Sequence, residues 1–237
     1  MYLCVLYALC GKFKIVRVVD LTVPCLTLSM TYFVRTPWLL RTFYPAFEWE
    51  IPTKEKIIYL TFDDGPHPVA TPFVLDLLKR HEAFATFFCI GKNVVQNPEI
   101  YRRILDEGHS VGNHTYHHFN GWKTTDEIYL KDIAEAAKYI DSALFRPPYG
   151  RIKKFQARHL INSMKVAHPR IIMWSVLSAD FDVTVSPSKC LQNVILHADR
   201  GSIVVFHDSE KAFSRLEYSL PRVMDHFLEK GFRFEKI

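Results

Sequence analysis

From residue 57 onward the chain alternates short apolar runs with stretches whose apolar positions recur at helical spacing. The runs at 57–62, 85–90, 110–113, 143–146, 170–176, 202–207 and 232–235 are rich in Ile, Val, Phe and Tyr. Most are continuously apolar rather than alternating. Strands of that kind are covered on both faces, which predicts a parallel sheet with helices packed against it. The helical stretches carry start signals. Thr71-Pro72, Asn97-Pro98 and Ser186-Pro187 each set an N-cap residue before a proline suited to the first helical position. Thr124 and Glu127 have the spacing of a capping box ahead of a helix over 126–140. Gly108 and Gly231 stand where helices should stop. Thr36-Pro37 opens a further short helix over 38–43. This alternation of strand and helix predicts one barrel-like α/β domain rather than two domains.

The segment before residue 50 breaks the pattern. Residues 2–10 are apolar with no basic residue ahead of them, and 21–34 are uncharged but interrupted by Pro24. The second run falls short of the roughly 20 apolar residues a spanning helix needs. Neither run shows the ordered parts of a cleaved signal peptide. Residues 1–50 therefore read as an N-terminal extension with a short helix. Translation is expected to start at Met30, leaving 1–29 outside the fold; a membrane anchor and an atypical export signal are the competing readings.

Composition narrows the class further. With 237 residues and a hydrophobic fraction of 49%, the chain can bury a sizeable core without covalent staples. The five cysteines include no C-x-x-C pair, which argues against a disulfide framework and against a cysteine zinc site. Cys89 reads as core and Cys190 as helix. The net charge of +5 is mild, and no basic run or aromatic series points to nucleic acid.

The polar signals fall at the C-terminal ends of the expected strands, where parallel barrels assemble their sites. Asp63 and Asp64 end the first strand, in Thr61-Phe62-Asp63-Asp64-Gly65-Pro66. A turn there can aim both carboxylates at one cleft, and their repulsion calls for a cation or an arginine nearby. Taken alone, the pair also reads as a solvated turn. His114 and His118 follow another strand, four apart, a spacing that shares one face of a helical turn and can grip one zinc ion. His117 competes with His118 for that place. One aspartate and two histidines would leave a position for water. Arg146-Pro147-Pro148-Tyr149-Gly150 is a stiff loop that could fix the arginine and the Tyr149 N–H. Ser178-Ala179-Asp180-Phe181-Asp182 is acidic, and His207 closes the apolar run Val204-Val205-Phe206.

Taken in order, these five segments resemble the polysaccharide deacetylase (NodB-homology) family, carbohydrate esterase family four, over roughly residues 55–237. The resemblance implies a distorted (β/α) barrel of about seven strands with 55–237 as the catalytic domain. It implies Asp64, His114 and His118 as metal ligands, Asp63 as catalytic base and Arg146 as the residue holding it. Tyr149 becomes the oxyanion donor through its N–H, His207 the catalytic acid, and Asp180 the carboxylate behind that histidine, with Asp182 as the alternative. Phe181 replaces the usual tryptophan and Val205 the usual leucine, so the substrate wall stays apolar but is reshaped. The implied cofactor is a divalent metal, Zn2+ first, with Co2+, Ni2+ or Mn2+ tolerated by the same donors. The implied partner is an N-acetylated glycan of the N-acetylglucosamine type, deacetylated with release of acetate. The competing functions are an O-acetyl esterase on a sugar polymer and a catalytically silent sugar-binding homologue. A wall or surface glycan would imply export or membrane association.

Overall fold

Strand pairing in the structure, a computed structural model that describes residues 32–237, is parallel throughout one sheet. Its strands are β1 (Phe47–Glu48), β2 (Ile57–Asp63), β3 (Thr86–Cys89), β4 (Ser110–Asn113), β5 (Leu144–Phe145), β6 (Arg170–Ile172), β7 (Val176–Leu177), β8 (Ile203–His207) and β9 (Arg233–Phe234). The spatial order is β1-β6-β5-β4-β3-β2-β8-β7, with β9 beside the start of β2. The helices are α1 (Trp38–Phe43), α2 (Ala70–Arg80), α3 (Gly91–Gln96), α4 (Pro98–Asp106), α5 (Asp126–Ala136), α6 (Lys154–Arg158), α7 (Leu160–Met164), α8 (Pro187–Ile195) and α9 (Phe213–Glu229). This is a distorted (β/α) barrel. The expectations about residues 1–29 and about Met30 as the start lie outside the described residues. Among the described residues no helix is long and apolar enough to cross a membrane.

The distortion lies at one seam. The run 170–176 is expected as one strand but divides at Met173–Ser175, because it changes neighbours there. Its first part pairs with β5 and β1, and its second with β8. One bent stretch of chain thus joins the two ends of the sheet. Residues 34–36 and β1 line its outer edges, through Leu177 N–H to Val34 O at 2.8 Å and Thr36 N–H to Ser175 O at 3.0 Å.

Two apolar layers follow from strand alternation. Ile58, Leu60, Phe62, Phe87, Val204 and Phe206 pack outward with Leu75, Leu78, Leu216 and Leu220 of the helices. Ile57, Tyr59, Phe88, Leu144, Ile172 and Ile203 pack into a separate layer inside the barrel. On β2 the inner face continues from Ile57 and Tyr59 to Thr61 and Asp63. The interior therefore turns polar toward the C-terminal ends of the strands. Gly112 permits this packing: a Cβ there would stand 2.5 Å from the Phe88 ring.

The helix signals fare unevenly. Ser186 caps α8 by accepting the Lys189 N–H at 3.2 Å. Gly108 and Gly231 follow α4 and α9 with φ of 83° and 75°. Thr124 does not cap α5, whose N-cap is Thr125 with no side-chain bond. Thr71 lies inside the first turn of α2, and His67 Nδ1 accepts the Val69 and Ala70 N–H groups instead. Asn97 stands at the start of α4, but its amide bonds Pro66 O and Asn93 O.

Candidate active site and metal centre

Asp63 ends β2 facing the barrel interior, and the next residue, Asp64, takes φ of 81°. That left-handed turn swings the second carboxylate into the same cleft. Asn93 fixes it by donating to Asp64 O at 2.7 Å. Asp208 fixes the far side by accepting the Gly65 N–H at 3.1 Å and bonding Thr71.

His114 and His118 reach this cleft from the loop after β4. The expected helical turn is absent: Thr115 and His118 have φ of 65° and 60°, so the loop folds back on itself instead of winding. Asn113 and Asp132 stabilise the fold-back by accepting backbone N–H groups of Thr115, Tyr116 and His117 at 2.8–2.9 Å. His117 turns away, with its Nδ1 2.6 Å from Asp132 Oδ1. Asp64, His114 and His118 each bring one ligand atom within 4.8 Å of the others.

This donor set fits a divalent cation. Asp64 Oδ1 is buried without a hydrogen-bonding donor, although His118 Nε2 and His114 Nε2 lie 3.2 and 3.6 Å from it. His114 Nδ1 lies 2.7 Å from Arg146 O, so it carries the proton and leaves the Nε2 lone pair facing Asp64. Burial keeps that imidazole neutral, with its pKa lowered to about 4 despite the pull of Asp63. Burial raises the Asp64 pKa, but His118, His207 and His114 outweigh it and hold the group below the usual carboxylate range. Two imidazoles and one carboxylate converging on one point are a donor set that a divalent cation takes.

Arg146 crosses the barrel interior fully buried. It donates to Asp63 Oδ1 and Thr61 Oγ1 at 2.7 Å each, and to Ile172 O and Met173 O at 3.0 and 2.9 Å. Its guanidinium sits 4.0 Å from the centre of the Phe88 ring. Asp63 is therefore held through its Oδ1.

His207 ends β8, in register with Asp63. Its Nδ1 lies 2.8 Å from Asp180 Oδ1, and its N–H donates to Asp180 Oδ2 at 2.8 Å. Asp180 also accepts from Ser178 Oγ at 3.0 Å, and Arg215 Nε donates to its main-chain oxygen. Asp182 instead accepts from the Thr184 N–H and hydroxyl. Phe181 meets the His207 ring edge-on at 5.2 Å. Val205 faces inward like His207 but is 1% exposed, so it packs beneath the cleft wall.

Tyr149 lies in a short turn with φ of 61°, its ring 4.7 Å from that of His118. The bonds closing this turn run from Gly150 N–H to Pro147 O and from Arg151 N–H to Pro148 O. Neither uses the Tyr149 N–H. Asp132, Asn93 and Arg215 are not foreseen in the sequence, and Asp208 is legible only as the residue that follows His207 in the last run.

The family model for polysaccharide deacetylase matches residues 50–167. A peptidoglycan-N-acetylglucosamine deacetylase of Bacillus cereus is 36% identical over 192 residues, 78% of this chain and 88% of that protein. A chitooligosaccharide deacetylase of Azorhizobium caulinodans is 33% identical over 165 residues, 67% of this chain and 76% of the relative. In structure the chain is similar to a peptidoglycan N-acetylglucosamine deacetylase crystallised with an N-oxidanyl-benzamide. The TM-score is 0.76 at 31% identity, covering 85% of this chain and 95% of the other.

Proposed function

Because this chain belongs to the polysaccharide deacetylase family, we propose that it is a metal-dependent deacetylase removing N-acetyl groups from N-acetylglucosamine-type residues of a glycan, with release of acetate. The observation that carries this reading is the meeting, in one cleft, of Asp64, His114 and His118 with the Asp63–Arg146 and His207–Asp180 pairs. Peptidoglycan and chitin-like oligomers are the substrates its relatives' names suggest.

Asp64, His114 and His118 hold the metal. Zinc suits two imidazoles and one carboxylate, and cobalt, nickel or manganese fit the same donors. When bound, a divalent ion there acidifies water and polarises a carbonyl oxygen. Asp63, kept in place by Arg146, accepts the proton of the attacking water. The Tyr149 N–H donates to the carbonyl oxygen as it gains charge. His207, positioned by Asp180, gives a proton to the departing nitrogen, so the C–N bond breaks to acetate and a free amino sugar. Phe181 walls the acetyl group beside His207.

Acetate release from N-acetylglucosamine oligomers and from peptidoglycan, with and without a chelator, tests the reading. Release should stop on chelation and return with added zinc. Release that persists without metal overturns the metal assignment. No release from any N-acetylated glycan overturns the activity.

A further inference from the structure

The loop after β7 carries the carboxylate behind His207, and it is tied at each main-chain oxygen from Ser178 to Asp180. Asn193 of α8 donates its amide to Ser178 O at 3.0 Å. The Asp182 N–H donates to Ala179 O at 3.1 Å, and Arg215 of α9 donates from Nε to Asp180 O. At the centre Ala179 takes φ of 66°. A residue with a Cβ holds that left-handed conformation only where its surroundings impose it. The Ser178 N–H donates to Val205 O at 3.1 Å, which joins the loop to β8 two residues before His207.

Arg215 is buried, and a guanidinium leaves water at a cost unless its donors find acceptors. Its donors go to Asp180 O, to Lys211 O and, at 3.5 Å, to the Ser214 hydroxyl. Lys211 and Ser214 are close in sequence, whereas the bond to Asp180 O spans 35 positions. A charged donor holds a carbonyl oxygen more firmly than a neutral one. Fixing that carbonyl fixes how the Asp180 side chain leaves the backbone. The two carboxylate oxygens then meet the His207 Nδ1 and main-chain N–H at 2.8 Å each. None of these ties runs to Asp64, His114 or His118.

We infer that Arg215 and Asn193 are positioning residues for the acid side of the cleft. From α9 and α8 they clamp the strained loop so that Asp180 stays paired with His207. Neither touches the reacting atoms, and the metal side is independent of both. The inference rests on the deacetylase reading above for its chemistry, but the clamp itself is a property of the fold.

The test uses the zinc-loaded wild type, Arg215→Met, Arg215→Lys and Asn193→Ala. Arg215→Met keeps an apolar stem and removes the donors; Arg215→Lys returns one charged donor. Nitrogen-15 shifts of the His207 ring, assigned by their loss in His207→Ala, report its bond to Asp180 whether or not a glycan is turned over. In Arg215→Met they should move toward the values of Asp180→Asn, and in Arg215→Lys they should stay near wild type. On N-acetylglucosamine oligomers kcat should fall about tenfold in Arg215→Met with KM and zinc affinity little changed. An aryl acetate, whose phenolate leaves without a proton, should lose much less. Should Arg215→Met not fold, Asn193→Ala releases the same loop from the other helix and is read in the same way. Unchanged ring shifts overturn the clamp, as do equal losses on the two substrates, which mark a structural role alone. Ring shifts that move as expected, in a protein that releases acetate from no N-acetylated glycan, would keep the clamp and sink the deacetylase reading.

Discussion

Asp132 Oδ1 lies 2.6 Å from His117 Nδ1, and its other oxygen accepts the backbone N–H groups of Tyr116 and His117 at 2.9 Å. One buried carboxylate thus decides which of two neighbouring histidines faces the cleft. By turning His117 outward it leaves His118 beside Asp64.

His118→Ala should therefore cost far more metal affinity than His117→Ala. Asp132→Ala keeps all three ligands but frees the loop, and a loss of about 10- to 100-fold is expected for a group that orients ligands. Zinc titration against a chromophoric chelator measures all three variants. Equal effects of His117→Ala and His118→Ala would overturn the ligand set.

Asp63→Asn should abolish acetate release by about 10²–10⁴-fold while leaving zinc binding intact. The fold should hold, because Arg146 keeps its bonds to Thr61, Ile172 and Met173. Arg146→Ala is different. It strands a buried carboxylate and opens a hole above Phe88, so about 3–5 kcal/mol of stability should go with the activity. Thermal unfolding separates the two. A stable, active Arg146→Ala protein would remove the arginine from the account.

Burial would lower the His207 pKa, but the charge and hydrogen bond of Asp180 outweigh it, aided by Asp64 and Asp63, and raise it to about 9. The folded-state value thus exceeds the ordinary 6.5. Its contribution to stability is fully present below about 6.5 and is lost as pH rises through about 9. Activity that needs a protonated His207 should fall on the alkaline side. A cation on Asp64 offsets part of that carboxylate's pull, so the limb in the loaded enzyme lies below 9. Asp180→Asn should move the limb further down; a pH–rate profile unchanged by that substitution would remove Asp180 from this role.

An alkoxide leaves more readily than an amine, so His207→Ala should cost an N-acetyl substrate more than an O-acetyl one. Parallel rates on the two kinds of substrate measure the difference. Equal losses on the two substrates would remove His207 from the role of acid to the leaving group.

Much of this site is legible in the sequence because its parts follow strands, and apolar strands announce themselves. Asp63, Asp64, His114, Arg146 and His207 each end a readable run or follow it by one or two residues. What escapes is what depends on pairing. β1 has two residues and exists through its partner β6. The break at Met173–Ser175 reflects a change of neighbours, which periodicity does not encode. A spacing of four suggested a helix for His114 and His118, whereas bonds to Asn113 and Asp132 fold the loop otherwise. The reach of the Arg146 side chain across the barrel escapes too, because nothing local marks how far a side chain extends.

Gly112 tests how far the site depends on that crossing. It faces the barrel interior on β4, where a Cβ would stand 2.5 Å from two atoms of the Phe88 ring and 3.2 Å from Leu144 Cβ. Both neighbours belong to the inner apolar layer. Phe88 in turn supports the Arg146 guanidinium, and Arg146 holds Asp63. Gly112→Ala must push the ring, and overpacking of this kind costs about 1–3 kcal/mol. For a chain this size that lowers Tm by roughly 2–4 °C per kcal/mol. Because the displaced ring carries the arginine, kcat should fall with little change in zinc affinity. Phe88→Leu in the same background makes room for the methyl group and should recover part of the lost Tm. If Gly112→Ala leaves both Tm and kcat unchanged, the chain of contacts from Gly112 through Phe88 and Arg146 to Asp63 does not govern the base.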